Sequence, residues 1–359
     1  MISPKLLALV RCADCRAPLD GAATDLACRG CGRRYTSPPD YLDMRPREQF
    51  DEQTKYLDEA LHADARHERV SPPLLGSRIR NDMLRAFLAP RPGELVVDLG
   101  CGSGRALLWN RDLGAAMTGI DIAPFFSREA RDEVDLLLGD LRKLPFADGT
   151  FDKAWSLDVL EHLSPEALAA MLTEAARVLK PGGSLFVYTH VRRNAPIAAG
   201  LRWINRLAKQ LERVGLIDLR QEHLRKSDHL NPLRDVPHLE QVVDAAGFRI
   251  EKIRYYTPLV GGFVENILVR VAERAMAKRA ERRHQDAADG TAAAAGAGDR
   301  DEAVRAAAIR EARTVAKRRI ASRGPTYAAL RGLSFAMKLD LLLFGRVRSG
   351  PFFALLVKK

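Results

Sequence analysis

Residues 94–104 read Glu94-Leu95-Val96-Val97-Asp98-Leu99-Gly100-Cys101-Gly102-Ser103-Gly104. A short β-branched run, then an acid, then a cluster of glycines describes a buried strand ending in a tight turn. Glycine lets the backbone approach a ligand closely, and open α/β sheets bind ligands outside the carboxyl ends of their strands. The stretch therefore predicts both a parallel sheet and the place where that sheet holds a small molecule.

The glycine spacing is G-x-G-x-G, without the third glycine where the dinucleotide-binding fingerprint requires it. Asp98, ahead of the loop, also suits a cationic ligand better than a pyrophosphate. Downstream, Met117-Thr118-Gly119-Ile120-Asp121-Ile122 reads as a second strand ending in an acid. That acid lies about twenty residues on, where a carboxylate can accept both hydroxyls of a ribose. Leu136-Leu137-Leu138-Gly139-Asp140-Leu141, before Leu144-Pro145-Phe146, is a third strand whose acid can accept from an adenine amino group. Phe151 to Leu157 is a fourth strand. Arg177 to Val187 is a helix end, a Pro181-Gly182-Gly183 turn and a fifth strand. Strands and helices alternate from 94 to about 257, which predicts an α/β, doubly wound, mostly parallel sheet.

The runs VVDLGCGSG (96–104), GIDIAP (119–124), GDLRKLPFADGTFD (139–152), SLDVLEHL (156–163) and RVLKPGG (177–183) together resemble the class I S-adenosylmethionine-dependent methyltransferases of the ubiquinone and menaquinone kind. The resemblance covers about residues 70 to 257 and implies a seven-stranded sheet and S-adenosylmethionine as cofactor. It implies that Asp98, Gly100 and Gly102 line the methionine end, Asp121 the ribose, and Asp140 with Leu141 the adenine. Ile122 and Leu157 complete the cofactor-binding set. Asp158, Glu161 and His162 are the candidate catalytic residues. A similar run in quinone-pathway O-methyltransferases has two acids and a histidine that can hold a divalent metal. Here the first acid is Asp158 rather than Glu. The alternative is that Glu161 and His162 hydrogen-bond the structure around the cofactor. The acceptor implied is a small or lipid-linked molecule.

Four of the five cysteines fall within the first 31 residues, as Cys12-x2-Cys15 and Cys28-x2-Cys31. Two such knuckles complete the tetrahedral thiolate shell that Zn²⁺ prefers, and with no open position the metal is structural. Residues 1–46 are thus expected to form a zinc ribbon, resembling ribbons fused to or partnered with methyltransferases, with a role in binding RNA, binding a protein, or packing. This is not the disulfide framework of a secreted domain. The apolar run Leu6 to Val10 is too short for a signal peptide or a membrane span, so a cytoplasmic protein is expected.

The net charge is +11, which favours anionic surroundings, and RNA methylation is the alternative function. Against it stand the 6% aromatic content and Ser156-Leu157-Asp158-Val159, where an amino-methylating enzyme would carry an N/D-P-P-Y/F motif. After the fifth strand comes a basic segment with His190, Arg192, Arg193, Arg202, Arg206, His223, Arg225, Lys226 and His229, fitting a lid over an anionic acceptor or a solvated face.

The methyltransferase domain is expected over 47–257, with a sixth strand over 248–256. The next strand-like run is Phe352 to Val357, so a helical basic insertion is expected over 258–349, with a flexible linker near 286–298, before the final strand in 350–359. The insertion opens with Val260, Phe263, Val264, Ile267, Leu268 and Val271 on one helical face. It closes with Leu330, Leu333, Met337, Leu341 and Phe344 on another. Arginine-rich stretches adjoin both faces and include Arg282, Arg283, Arg318 and Arg319. Packing on the domain, a homodimer contact, and peripheral contact with an anionic membrane are the readings this pattern allows.

Overall fold

The computed structural model describes residues 2–47, 70–192, 198–219, 229–289, 315, 320, 323–348 and 350–359. Ser3 caps the first helix, α1 (Pro4–Leu9), its hydroxyl accepting from Leu6 N, and Pro4 has the φ that a first helical turn needs. Three antiparallel strands follow: β1 (Leu19–Ala22), β2 (Asp25–Cys28) and β3 (Arg34–Thr36). Strands this short cannot bury a core of their own. Leu6, Val10, Leu26, Tyr35, Leu42 and Met44 instead join the main hydrophobic core. The unit is also tied by polar contacts. Ser3 donates to both oxygens of Asp135, and Arg16 pairs with the buried Glu174 at 3.0 Å.

A two-residue strand, β4 (Leu42–Asp43), then runs parallel to the edge of the large sheet. The rest of the chain supplies α2 (Gly76–Leu88), β5 (Leu95–Leu99), α3 (Arg105–Asn110), β6 (Ala116–Asp121), α4 (Arg128–Glu133), β7 (Asp135–Leu138), β8 (Phe151–Leu157), α5 (Pro165–Val178), β9 (Leu179–His190), α6 (Ala198–Arg213), α7 (Val236–Ala245) and β10 (Phe248–Tyr255). Then come α8 (Leu259–Phe263), a π-helical segment (Val264–Val269), α9 (Arg270–Asp289), α10 (Pro325–Phe344) and β11 (Pro351–Lys358).

The sheet order is β10-β11-β9-β8-β5-β6-β7-β4. Strands β4 to β9 pair in parallel, and β11 runs antiparallel to both β9 and β10. The sequence predicts seven strands; the structure has those seven and adds β4, donated by the N-terminal unit. Both faces are covered, so the strands alternate between two cores. Val97 and Leu99 join the core under α5 and α7, while Val96 joins the one under α2 and α3. Strand order reverses between β6, on one side of β5, and β8 on the other. The crevice at that switch point is where open α/β sheets place a ligand.

The insertion is pinned to this frame. Asp340 of α10 is fully buried and accepts from Val260 N and Gly261 N at 2.9 and 2.7 Å, capping α8. Ser334 Oγ accepts from Leu75 N at 2.7 Å, and Lys338 pairs with Asp82 of α2 at 2.6 Å. Leu333, Met337 and Leu341 pack into the core, the first of the readings the pattern allows. The opening face is split: Val264 and Ile267 are buried, whereas Phe263, Leu268 and Val271 are exposed. The π-helical bonds add a residue per turn and rotate the apolar stripe out of phase. Helix α9 continues through Asp289, so residues 286–289 of the expected linker are helical. The remainder of that linker lies outside the described residues. So do Arg193, His223, Arg225, Lys226, Arg318 and Arg319, and the side chain of Arg283.

Candidate active site

The loop after β5 turns on two glycines that need positive φ. Gly100 has φ 86°, and a Cβ there would run into Val159 Cγ2. Gly102 has φ 53°, and nothing lies within 4 Å of where its Cβ would stand. Its open side is the kind of cradle a ligand can enter. The loop is clasped to the end of β6. Gly102 N donates to Asp121 Oδ2 at 2.7 Å, and Ala123 N donates to Asp121 Oδ1 at 3.1 Å. Each carboxylate oxygen keeps acceptor capacity beyond these bonds. Ile122 follows directly, half-buried.

Asp98, 2% exposed, sits one residue before the strand end. Burial, with Asp121 adding to it, pushes its carboxyl up to about 8. Burial also raises Asp121, against the backbone N–H groups that favour its charge. After β7, Asp140 is buried and clamped by its neighbour. Arg142 Nε and Nη2 reach its two oxygens at 2.9 and 2.7 Å, and Arg142 N adds a third bond at 2.8 Å. That fork holds the carboxylate at one orientation beside the half-buried Leu141.

The end of β8 carries the candidate catalytic residues. Leu157 is half-buried. Asp158 has φ 57°, a left-handed conformation that turns its side chain out of the strand. It pairs with Arg80 of α2 at 3.3 Å, and the Arg80 guanidinium stands 5.4 Å from the Tyr188 ring centroid. Burial opposes the charge on Arg80, but Asp158, Tyr188 and Glu265 outweigh it. Glu161 is 3% exposed and accepts from Thr189 Oγ1 at 2.9 Å. Burial, reinforced by Asp158, pushes it up to about 7. His162 lies edge-on to His229 with ring centroids 4.6 Å apart, and His190 is 5.5 Å from His229. Ligand atoms of Glu161, His162 and His229 all lie within 4.8 Å of one another, close enough to converge on one cation.

Glu161 makes a pH-dependent contribution whose sign follows from the raised value. Its folded pKa, about 7, lies above the ordinary 4.5, so the folded chain holds this proton more tightly than the unfolded one. That contribution is complete below pH 4.5 and is lost as pH rises through 7, a change of roughly 3 kcal/mol. Glu161→Gln is expected to flatten the decline and to be the more stable protein above neutrality. Urea denaturation across this pH range checks it.

In the N-terminal unit the four cysteines converge. Cys12 Sγ lies 3.7 Å from Cys31 Sγ, and Cys15 Sγ lies 3.4 Å from Cys28 Sγ, with all four within 4.8 Å. Four thiolates about 2.3 Å from a tetrahedral Zn²⁺ stand roughly 3.8 Å apart, so the set fits that ion. Gly30 N and Cys31 N point at Cys28 Sγ at 3.3 and 3.4 Å, the backbone support a thiolate ligand receives.

Each of these acids and cysteines is legible in the sequence, but Arg80, Tyr188 and Glu265, which come together near the end of β8 from distant segments, are not. No local spacing links Arg80 to Asp158. His190 and His229 are read from sequence only as lid cations.

Residues 97–187 match the family described as a methyltransferase domain. A demethylmenaquinone methyltransferase of Corynebacterium kroppenstedtii is 42% identical over 104 residues, 29% of this chain and 44% of that protein. A ubiquinone biosynthesis O-methyltransferase of Xanthomonas campestris pv. campestris is 36% identical over 140 residues, 36% of this chain and 57% of that protein. Among solved structures, phosphoethanolamine N-methyltransferase 2 of Haemonchus contortus in complex with S-adenosyl-L-methionine aligns with a TM-score of 0.44 at 15% identity, over 85% of this chain and 60% of that one. The chain spans between 31% and 57% of the length of the curated relatives it matches.

Proposed function

We propose that this chain, whose residues 97–187 match the methyltransferase-domain family, uses S-adenosylmethionine to methylate a small-molecule or lipid-linked acceptor. The observation that carries the reading is the clasp between Gly102 and Asp121, which sets an open glycine loop against a carboxylate at the switch point of the sheet. S-adenosylmethionine, when bound, supplies a methyl group on a positively charged sulfur, already activated for displacement.

The chain's own residues then have to bind, orient and exclude water. Gly100 and Gly102 let the backbone approach the ligand, and Asp121 accepts from the ribose hydroxyls. Asp140, held by Arg142, accepts from the adenine amino group, with Ile122, Leu141 and Leu157 as apolar walls. A cation in the crevice favours the ionised form of Asp98, so binding is expected to release a proton there. Glu161 has a proton affinity near neutrality, the range a general base for an oxygen or nitrogen acceptor requires. His162 stands beside it. Asp158, paired with Arg80, orients rather than accepts. In the N-terminal unit Cys12, Cys15, Cys28 and Cys31 hold a structural zinc ion.

The test follows tritiated methyl groups from S-adenosylmethionine into fractionated soluble metabolites, lipids and RNA. Label in metabolites or lipids supports the reading, and label confined to RNA overturns the acceptor class. Asp121→Ala is expected to weaken cofactor binding roughly tenfold to 100-fold, since it removes charge-assisted bonds. Unchanged affinity by calorimetry would move the cofactor elsewhere.

A further inference from the structure

Helix α10 is apolar on both sides. Its inner face, Leu333, Met337 and Leu341, packs into the core. On the opposite side Phe335, Leu339, Leu342 and Leu343 stand at spacings of four, three and one, so they fall in a single stripe. They are 74%, 44%, 73% and 61% exposed. A helix apolar all round is normally buried all round. Rotation about its axis cannot hide this stripe. Ser334, Lys338 and Asp340 each hold a polar partner on the inner side, and Arg254 Nη2 reaches Leu341 O at 2.6 Å. The outward face is thus fixed by the same bonds that seat the helix.

The charges around the stripe select its occupant. From Arg323 to Arg348 the chain carries five cations, Arg323, Arg331, Lys338, Arg346 and Arg348, and one acid. That acid is Asp340, wholly buried beneath α8. Lys338 is committed to Asp82 and Arg348 reaches Tyr255 of β10, while Arg331 on the helix and Arg346 just past its end are exposed. A second copy docking here about a two-fold axis would face cations with cations. An anionic lipid surface meets both features, accepting large apolar side chains at the acyl boundary and cations at the headgroups. No described helix is long and apolar enough to cross a membrane, so the helix would lie on the surface.

We propose that the outer face of α10, Phe335, Leu339, Leu342 and Leu343 with Arg331 and Arg346, docks this protein on an anionic membrane surface. Flotation of the full chain with vesicles of phosphatidylcholine alone, or mixed with phosphatidylglycerol, tests this at low and high salt. The protein is expected to float with the anionic vesicles and to leave them as salt rises. Replacing Phe335→Ser together with Leu342→Ser should weaken flotation roughly tenfold or more. Arg331→Gln with Arg346→Gln should weaken it roughly 30-fold, while melting temperature and cofactor affinity stay unchanged. Leu339→Ser with Leu343→Ser repeats the apolar test at independent positions, should the first pair fail to fold.

Three results overturn the proposal. The wild-type chain ignores anionic vesicles at low salt, or the serine variants float as well as wild type, or sedimentation finds a dimer that the serine variants dissolve. Flotation needs neither cofactor nor acceptor, so its failure is distinguishable from failure of the proposed chemistry.

Discussion

Deleting residues 351–358 is expected to unfold the α/β domain rather than trim it. Strand β11 lies between β9 and β10 and pairs with both along its length. Phe352, Ala354 and Leu356 fill one core and Phe353 and Leu355 the other, so its removal opens both layers at once. Phe353 alone stacks on Tyr188 at 4.7 Å and on Phe186 at 6.1 Å. Truncating a buried Phe to Ala costs roughly 3–5 kcal/mol, against roughly 5–15 kcal/mol for the stability of a whole domain. Phe353→Ala is therefore expected to fold with a much lowered midpoint. The deletion, which also strips β9 and β10 of their shared partner, is expected to leave no cooperative transition. Lys359→Ala, which removes an ion pair with the exposed Asp244 and keeps the backbone bond to Gly247, should be nearly neutral. Chemical denaturation followed by circular dichroism separates the three. A cooperative transition of normal midpoint in the deletion variant would contradict the sheet order.

The other large effect is expected from the cysteine cluster. Cys28→Ser removes one of the four proposed ligands and a buried one, and metal binding in such units is folding energy, on the order of 10 kcal/mol. Zinc should fall from one per chain to none by elemental analysis, and residues 2–47 should become open to limited proteolysis. The eight-stranded sheet should also lose stability, though less. Leu6, Val10, Leu42 and Met44 cover its edge, and Met44 N donates to Leu138 O at 2.8 Å, so their loss bares β7. Full zinc retention in this variant would remove the metal from the account.

What the sequence discloses, and what it conceals, follows from the range of each interaction. The strand and glycine turn at 95–104, the acids at 121 and 140, and the cysteine knuckles are written in consecutive residues, so local pattern reads them. Strand β11 is legible for a different reason: a parallel sheet lacking a partner for β10 implies that some distant apolar run must close it. Strand β4 is only two residues long and offers no periodicity. The pairing of Arg80 with Asp158 depends on how α2 crosses the end of β8, which neither segment encodes alone. In α10 the spacing finds the packed face but does not mark the opposite one as exposed. That outcome depends on Asp340 and Ser334 finding partners in other segments.

The placement of β11 also sets an order of events. A strand at the centre of the antiparallel side is supplied by residues 351–358, whereas its partners are complete by His190 and Tyr255. Emerging from the ribosome, β9 and β10 must wait, unpaired on facing edges, while the whole insertion is translated. Such long-range closure is slow, and exposed apolar strand edges are what chaperones recognise. The half-built sheet is therefore an aggregation-prone species on this chain's folding route. Its lifetime includes the time needed to synthesise the basic insertion as well as the time strand pairing takes.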